Sequence, residues 1–234
     1  MQHRIKYGSR TIRFDVVYAA RKSLQIEVYP DLHILVKAPA RTDICEIEKR
    51  MLRRSRWMSK QLDYFRQFDP RTPARKYVGG ETHLYLGRQY RLKILQAEPC
   101  GVKLVRGYFL VPSNGSSSPK TIMPLLDQWY AEKAAIQFHA AFERCWPKFN
   151  KLGLTRPDIQ IRKMKSRWGS LSAKGRLTLN ADLIRAPKEC IDYVVTHELC
   201  HLTHHNHSPA FYELLEKSMP DWKKRKHRLE LSLI

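Results

Sequence analysis

Residues 193–211 read YVVTHELCHLTHHNHSPAF, a stretch that sets five histidines (His197, His201, His204, His205 and His207) within eleven positions and a glutamate, Glu198, directly after the first. Residues four apart on an α-helix lie one above the other, so the imidazoles of His197 and His201 can converge on one ion at about 2.0–2.1 Å each. Glu198 projects beside them, able to take a proton from a water without itself ligating. That division of roles is what metal-assisted hydrolysis requires. A catalytic zinc also needs a third protein ligand and an open position, and His204, His205, His207, Glu213 and Glu216 are the candidates. In an unbroken helix rising 1.5 Å per residue, His205 lies about 12 Å beyond His197, and His204 nearly as far. The chain must therefore leave the helix and fold back. Asn206 tolerates the left-handed conformation that commonly ends helices, and His207 after it then swings toward the metal. Ser208 and Pro209 suit the cap and first turn of the next helix, and Glu213 is the second-choice ligand. Three imidazoles suit a borderline-soft cation, so one zinc ion is expected rather than magnesium.

Working outward, DIQIRKMKSRWGSLS (158–172) and GRLTLNADLI (175–184) read as strands around a Gly/Ser turn, and Pro187 opens the histidine-bearing helix. SPAFYELLEKSM (208–219) and PDWKKRKHRLELSL (220–233) read as two more helices, with Met219-Pro220 as a helix break and a core methionine. Upstream, an aromatic-rich helix over 121–149 offers Leu125, Leu126, Trp129, Ile136 and Phe142 for packing. SNGSSSP (113–119) is the one low-complexity stretch and marks a loop between two modules. Before it, THLYLGRQYRLKIL (82–95) and GVKLVRGYFLVP (101–112) predict hairpins turning at Gly87 and Gly107, reached through a connector at 70–76. TIRFDVVYAARKSLQIEVYPDLHILVKAP (11–39) alternates apolar and polar residues as a three-stranded antiparallel meander, broken at Ala19-Ala20 and Pro30-Asp31. No repeat is visible.

Thr42 or Asp43 caps a predicted helix running to Phe68, whose Ile44, Ile47, Met51, Met58, Leu62 and Phe65 face a core. Lys49, Arg53, Arg56 and Lys60 recur on the opposite side as a basic ridge, either a solvated face or a polyanion contact. The chain carries 43 Lys and Arg against 22 acids, a net charge of +21 that favours anionic partners such as nucleic acid or nucleotides. Its 234 residues and 43% apolar content suit a globular protein of one large or two small domains. No apolar run is long enough for a membrane helix and MQHRIKYGSRTIRF lacks a signal-peptide core, so a cytoplasmic protein without membrane attachment is expected. Cys45, Cys100, Cys145, Cys190 and Cys200 are odd in number, widely spaced and free of C-x-x-C, which fits reduced, buried thiols.

SRWGS (166–170), HELCHL (197–202) and NHSPAF (206–211), within 164–225, resemble in order and spacing the YgjP-like metallopeptidases, relatives of SprT-type zincins. The N-terminal strands, the basic helix and YLGRQYRL (85–92) extend the resemblance over nearly the whole chain. With the loop at 113–119 as boundary, the expected fold is α+β, an N-terminal antiparallel β-rich module with a basic helix over 1–118 followed over 119–234 by a domain that the resemblance implies is zincin-like. The resemblance also implies zinc on His197, His201 and His207, with Glu198 as general base. Leu171 departs from the cysteine often found there in the family. A zinc-dependent hydrolase acting on polypeptide is the leading expectation. A metal-dependent nucleotide phosphohydrolase of pyrophosphatase type, or a nucleic-acid-binding protein with a structural zinc, are the alternatives. Arg167, His204, His205 and Tyr212 are near enough in sequence to contact substrate or to stabilise developing negative charge. The segment around Arg167, Trp168 and Gly169, or RLTLN, could line the cleft as a sheet edge. Lys165 and Arg167 could equally face an anionic group.

Overall fold

Ile12 and Phe14 on one strand, and Ile34, Val36 and Ala38 on another, point to one side and build the first core. The computed structural model describes residues 2–29, 31–66, 75–98, 101–114, 117–164 and 167–232. Strands β1 (Gln2–Tyr7), β2 (Arg10–Ala19), β3 (Gln25–Val28) and β4 (Ile34–Pro39) form a sheet in the order β1-β2-β4-β3. The expected antiparallel meander is thereby corrected. β1 was not foreseen, and β2 runs parallel to β4 instead of forming a hairpin with β3. Alternation tells which face of a strand is buried but not which neighbour it pairs with. Helix α1 (Ile44–Arg66) lays Ile47, Met51 and Met58, all fully buried, on this core.

A second sheet repeats the plan. Strands β5 (Thr82–Tyr85), β6 (Arg88–Gln96), β7 (Lys103–Val105) and β8 (Tyr108–Ser113) take the order β5-β6-β8-β7, again with a central parallel pair between two hairpins. Both hairpins turn on a residue pair with positive φ, Leu86-Gly87 (49° and 77°) and Arg106-Gly107 (47° and 86°), as the glycines predicted. A helix follows each sheet, so a four-strand-plus-helix topology occurs twice although the sequence shows no repeat. Pairing order is the same in the two, and the first hairpin of each closes on a Tyr–Arg pair, Tyr7 with Arg10 and Tyr85 with Arg88.

The chain divides into two compact units at 72/73, not at the Gly/Ser loop near 118. Leu92, Phe109 and Val111 of the second sheet share one core with helix α2 (Pro119–Asn150), where the Phe109 and Trp129 rings meet edge to face at 4.9 Å. That shared core draws β5–β8 into the second unit. Leu126, Trp129 and Phe142 are buried as expected, whereas Ile136 is 59% exposed. Strands β9 (Asp158–Arg162), β10 (Gly169–Leu171) and β11 (Arg176–Asn180) form a third sheet in the order β10-β11-β9. A 3-10 turn (Ala181–Arg185) leads to α3 (Lys188–Cys200), α4 (Pro209–Ser218) and α5 (Trp222–Ser232). The β5–β6 turn is fastened to the start of α3. Leu86 and Gly87 donate their N–H groups to the carbonyls of Ile184 and Arg185 at 3.0 and 2.9 Å, and a Cβ on Gly87 would lie 2.6 Å from Pro187 Cγ.

The architecture is thus α+β, with small mixed sheets and five α-helices among the described residues. No helix among them is long and apolar enough to cross a membrane. Cys145, Cys190 and Cys200 are buried as expected, but Cys45 is exposed. The predicted helix end at Phe68, the connector over 70–74, Pro30, Cys100 and Lys165 lie outside the described residues.

Candidate metal centre

Helix α3 is apolar on its packed side, with Ile191, Val194, Val195 and Leu199 in the core of the second unit, and this holds His197 and Glu198 at fixed positions. The helix ends one residue before His201, which keeps helical dihedrals as its C-cap. Tight turns follow. The N–H of Leu202 bonds the Leu199 carbonyl, and those of Thr203 and His204 both bond the Cys200 carbonyl. The chain therefore leaves the helix at His201, well before the expected Asn206, and Asn206 is not among the residues with positive φ. The left-handed turn predicted at Asn206 is corrected, because carbonyls at the helix end are already satisfied by these turns. Ser208 then caps α4, its hydroxyl accepting from the Phe211 N–H, with Pro209 in the first turn.

His207 arrives beside the other two. One ligand atom from each of His197, His201 and His207 lies within 4.8 Å of the others, and ring centroids are 4.9–5.2 Å apart. Glu213, the second-choice ligand, is not in this cluster. His201 Nδ1–H donates to the His204 carbonyl at 2.9 Å, which leaves its Nε2 lone pair free. The Nε2 atoms of His197 and His207 lie 3.0 Å apart. Two imidazole nitrogens that close need a shared proton or a cation between them, and with a third lone pair nearby the donor set fits a cation such as zinc. Burial, then His201 and His207, push the His197 imidazole down to about 3, so its neutral, ligating form prevails. Burial also lowers His207.

Beneath the three imidazoles lies Phe211, fully buried, with its ring 5.0, 4.7 and 4.7 Å from those of His197, His201 and His207. Glu198 is 7% exposed and lies against β10. Burial pushes its carboxyl up to about 7, against the pull of the Leu171 backbone N–H and the Arg167 charge. The loop before β10 is tied down by Asn180. Its amide donates to the Met164 and Arg167 carbonyls at 2.9 and 3.0 Å, and its oxygen accepts from the Met164 and Asp182 N–H groups.

Arg167 and His205 line the pocket that holds the histidines and Glu198, together with the apolar Trp168, Leu171 and Leu229. His204 contributes its carbonyl to His201, and its side chain does not line the pocket. Tyr212 is exposed, 6.2 Å from the His207 ring, and stacks on Trp222. The basic residues Lys49, Arg53, Arg56 and Lys60 are all exposed on α1, in the first unit. Phe211, Gly169 and Asn180 carried no separate signal in the sequence. The segments SRWGS, RLTLN and NHSPAF contain them, and the first two were expected at the cleft, but nothing in the sequence set these three residues apart within them.

Residues 22–232 match the YgjP-like metallopeptidase domain. No curated protein matches the chain. Among solved structures, a metallopeptidase zymogen from Pyrococcus abyssi, abylysin, is 26% identical and covers 42% of this chain and 99% of its own, with a TM-score of 0.36. The Methanocaldococcus jannaschii zymogen jannalysin is 23% identical over 42% of this chain and 91% of its own, with a TM-score of 0.37.

Proposed function

Because the chain belongs to the YgjP-like metallopeptidase family, we propose that it is a zinc-dependent peptidase in which His197, His201 and His207 hold one ion and Glu198 is the general base. The observation that carries this reading is the convergence of three imidazoles beside a buried carboxylate. Zinc, when bound, supplies a Lewis acid that polarises a carbonyl and makes a water easier to deprotonate. Glu198 accepts that water's proton and later delivers it to the leaving amine. Its burial against β10 keeps bulk water from competing for the proton. Arg167, which faces the same pocket, is assigned to steady negative charge on the substrate, with His205 as second choice. Tyr212 and His204 are left with packing and backbone roles. The zincin-like arrangement of sheet edge, H-E-x-x-H helix and trailing helices goes with this reading.

Strand β10 pairs with β11 on one side only among the described residues, so its other edge, apart from the Leu171 N–H that bonds Glu198, can offer backbone groups to an extended chain. Polypeptide is favoured over nucleotide for a second reason. Arg167 is the only Lys or Arg among the described residues lining the pocket, and a phosphohydrolase needs more positive charge around its phosphates.

Protein purified without added metal should carry about one equivalent of zinc and cleave casein, and Glu198→Gln should keep the zinc and lose the cleavage. Less than a few tenths of an equivalent of transition metal, with no gain on reconstitution, would sink the metal claim. Glu198-dependent phosphate release from nucleotides with casein untouched would establish the phosphohydrolase instead. Full biological activity in Glu198→Gln would make the zinc structural.

A further inference from the structure

Helix α1 turns its apolar stripe to the first sheet and leaves a wide solvent face that the metal chemistry does not use. At 100° per residue, that face collects Lys49, Arg50, Arg53, Arg54, Arg56 and Lys60 around Trp57. Trp57 is 42% exposed, an uncommon setting for the largest apolar side chain. Beside it, Arg50, Arg53 and Arg54 line a groove whose other wall is Leu24 and Ile26. Arg50 is held by Glu46 at 2.8 Å. Lys49, Arg53, Arg54, Arg56 and Lys60 make no ion pair among the described residues. Like charges three and four apart on a helix repel, so this face carries a standing cost that an anionic occupant would remove.

We propose that this face of α1 binds single-stranded nucleic acid, with phosphates on the arginines and lysines and a base stacked on Trp57. Charge complementarity selects a polyanion, and the aromatic ring selects its kind. Stacking on an exposed indole requires an unpaired base, which a duplex does not offer and an acidic peptide lacks. Arginine predominates over lysine here, and its planar fork suits phosphate oxygens.

Fluorescence anisotropy of a labelled mixed-sequence single strand of about 20 nucleotides, titrated with the full-length protein at several KCl concentrations, tests this. The single strand should bind more tightly than the matching duplex. Trp57→Ala should weaken single-strand binding roughly ten-fold with the salt slope unchanged, and Trp57→Phe should recover most of the loss. Arg53→Gln/Arg54→Gln/Arg56→Gln should lower the slope of log affinity against log salt by about 2, from roughly 0.7 for each phosphate no longer neutralised. Lys151→Gln/Lys174→Gln/Lys188→Gln, which removes the same charge from the second unit, should lower it far less.

The proposal is overturned by absence of binding, by equal affinity for duplex with Trp57→Ala silent, or by an equal slope change in the lysine control. Competition by polyglutamate as strong as by unlabelled single strand would also overturn it, in favour of an acidic protein partner. Trp57 and the arginines are exposed, so circular dichroism should show all variants folded, and the Phe variant keeps the stacking claim decidable if the Ala variant is not.

Discussion

Gly169 stands so close to Glu198 that a methyl group there would lie 2.7 Å from its Cγ and 2.9 Å from Oε1. Non-bonded carbons do not approach that near, so Gly169→Ala must displace either the carboxylate or β10. Turnover of a peptide substrate should fall roughly 10- to 100-fold, the usual cost of misplacing a catalytic group by about 1 Å. Zinc content by elemental analysis should stay at the wild-type level, because no histidine is touched. The reverse split is expected at His207. His207→Ala should weaken zinc at least ten-fold in competition with a chromogenic chelator, while Glu213→Ala should leave it unchanged. Spacing alone pointed to His207, but the turn proposed to deliver it was wrong. Helix α3 ends earlier because the 199–204 backbone finds its own hydrogen bonds, a local competition that residue types do not reveal.

Elements are held in place for the chemistry by two buried side chains. Asn180, 3% exposed at the end of β11, binds the loop that carries Arg167 through its side-chain amide. Asn180→Ala leaves the Met164 and Arg167 carbonyls without that donor. Urea denaturation should show a loss of about 2–4 kcal/mol, since each bond contributes about 1 and an orphaned buried group costs more. Phe211 is the first buried residue of α4 and touches all three imidazoles. Phe211→Ala should cost about 3–5 kcal/mol of stability. It should also weaken zinc binding, measured by the same chelator competition, because the rings lose the surface that orients them. Strand existence was legible from alternation at this level, as were the turns at Gly87 and Gly107. Partner choice was not. β2 and β6 each take a parallel neighbour from the following hairpin, a pairing that depends on which cores the strands can share.

Across the whole second unit, stability should fall as the solution is acidified. His83 is 2% exposed, and burial lowers its imidazole against the pull of Glu81. Glu81 is lowered as well, its burial outweighed by the backbone N–H groups of Lys76 and Tyr77 that bond its carboxylate. Both groups bind protons more readily in the unfolded chain. Their contribution is complete above the unfolded histidine value of 6.5 and is lost as pH falls through it, then further as pH falls below the carboxylate value of 4.5. The raised Glu198 carboxyl works in the opposite direction over the same range, so the test uses zinc-free Glu198→Gln protein, whose urea midpoint should drop between pH 7 and 5, with His83→Gln flattening part of that drop.

Sequence alone marked the histidine cluster as a candidate metal site with Glu198 beside it, and the helices and most strands. It could do so because helical spacing, caps and turn glycines act within a few residues of one another. Only the tertiary structure decided the division at 72/73, the doubled four-strand-plus-helix topology, and the contacts of Gly169, Phe211 and Asn180 with the site. These depend on which distant surfaces fill one another's volume and satisfy one another's buried polar groups, a condition set by packing among segments far apart in the chain.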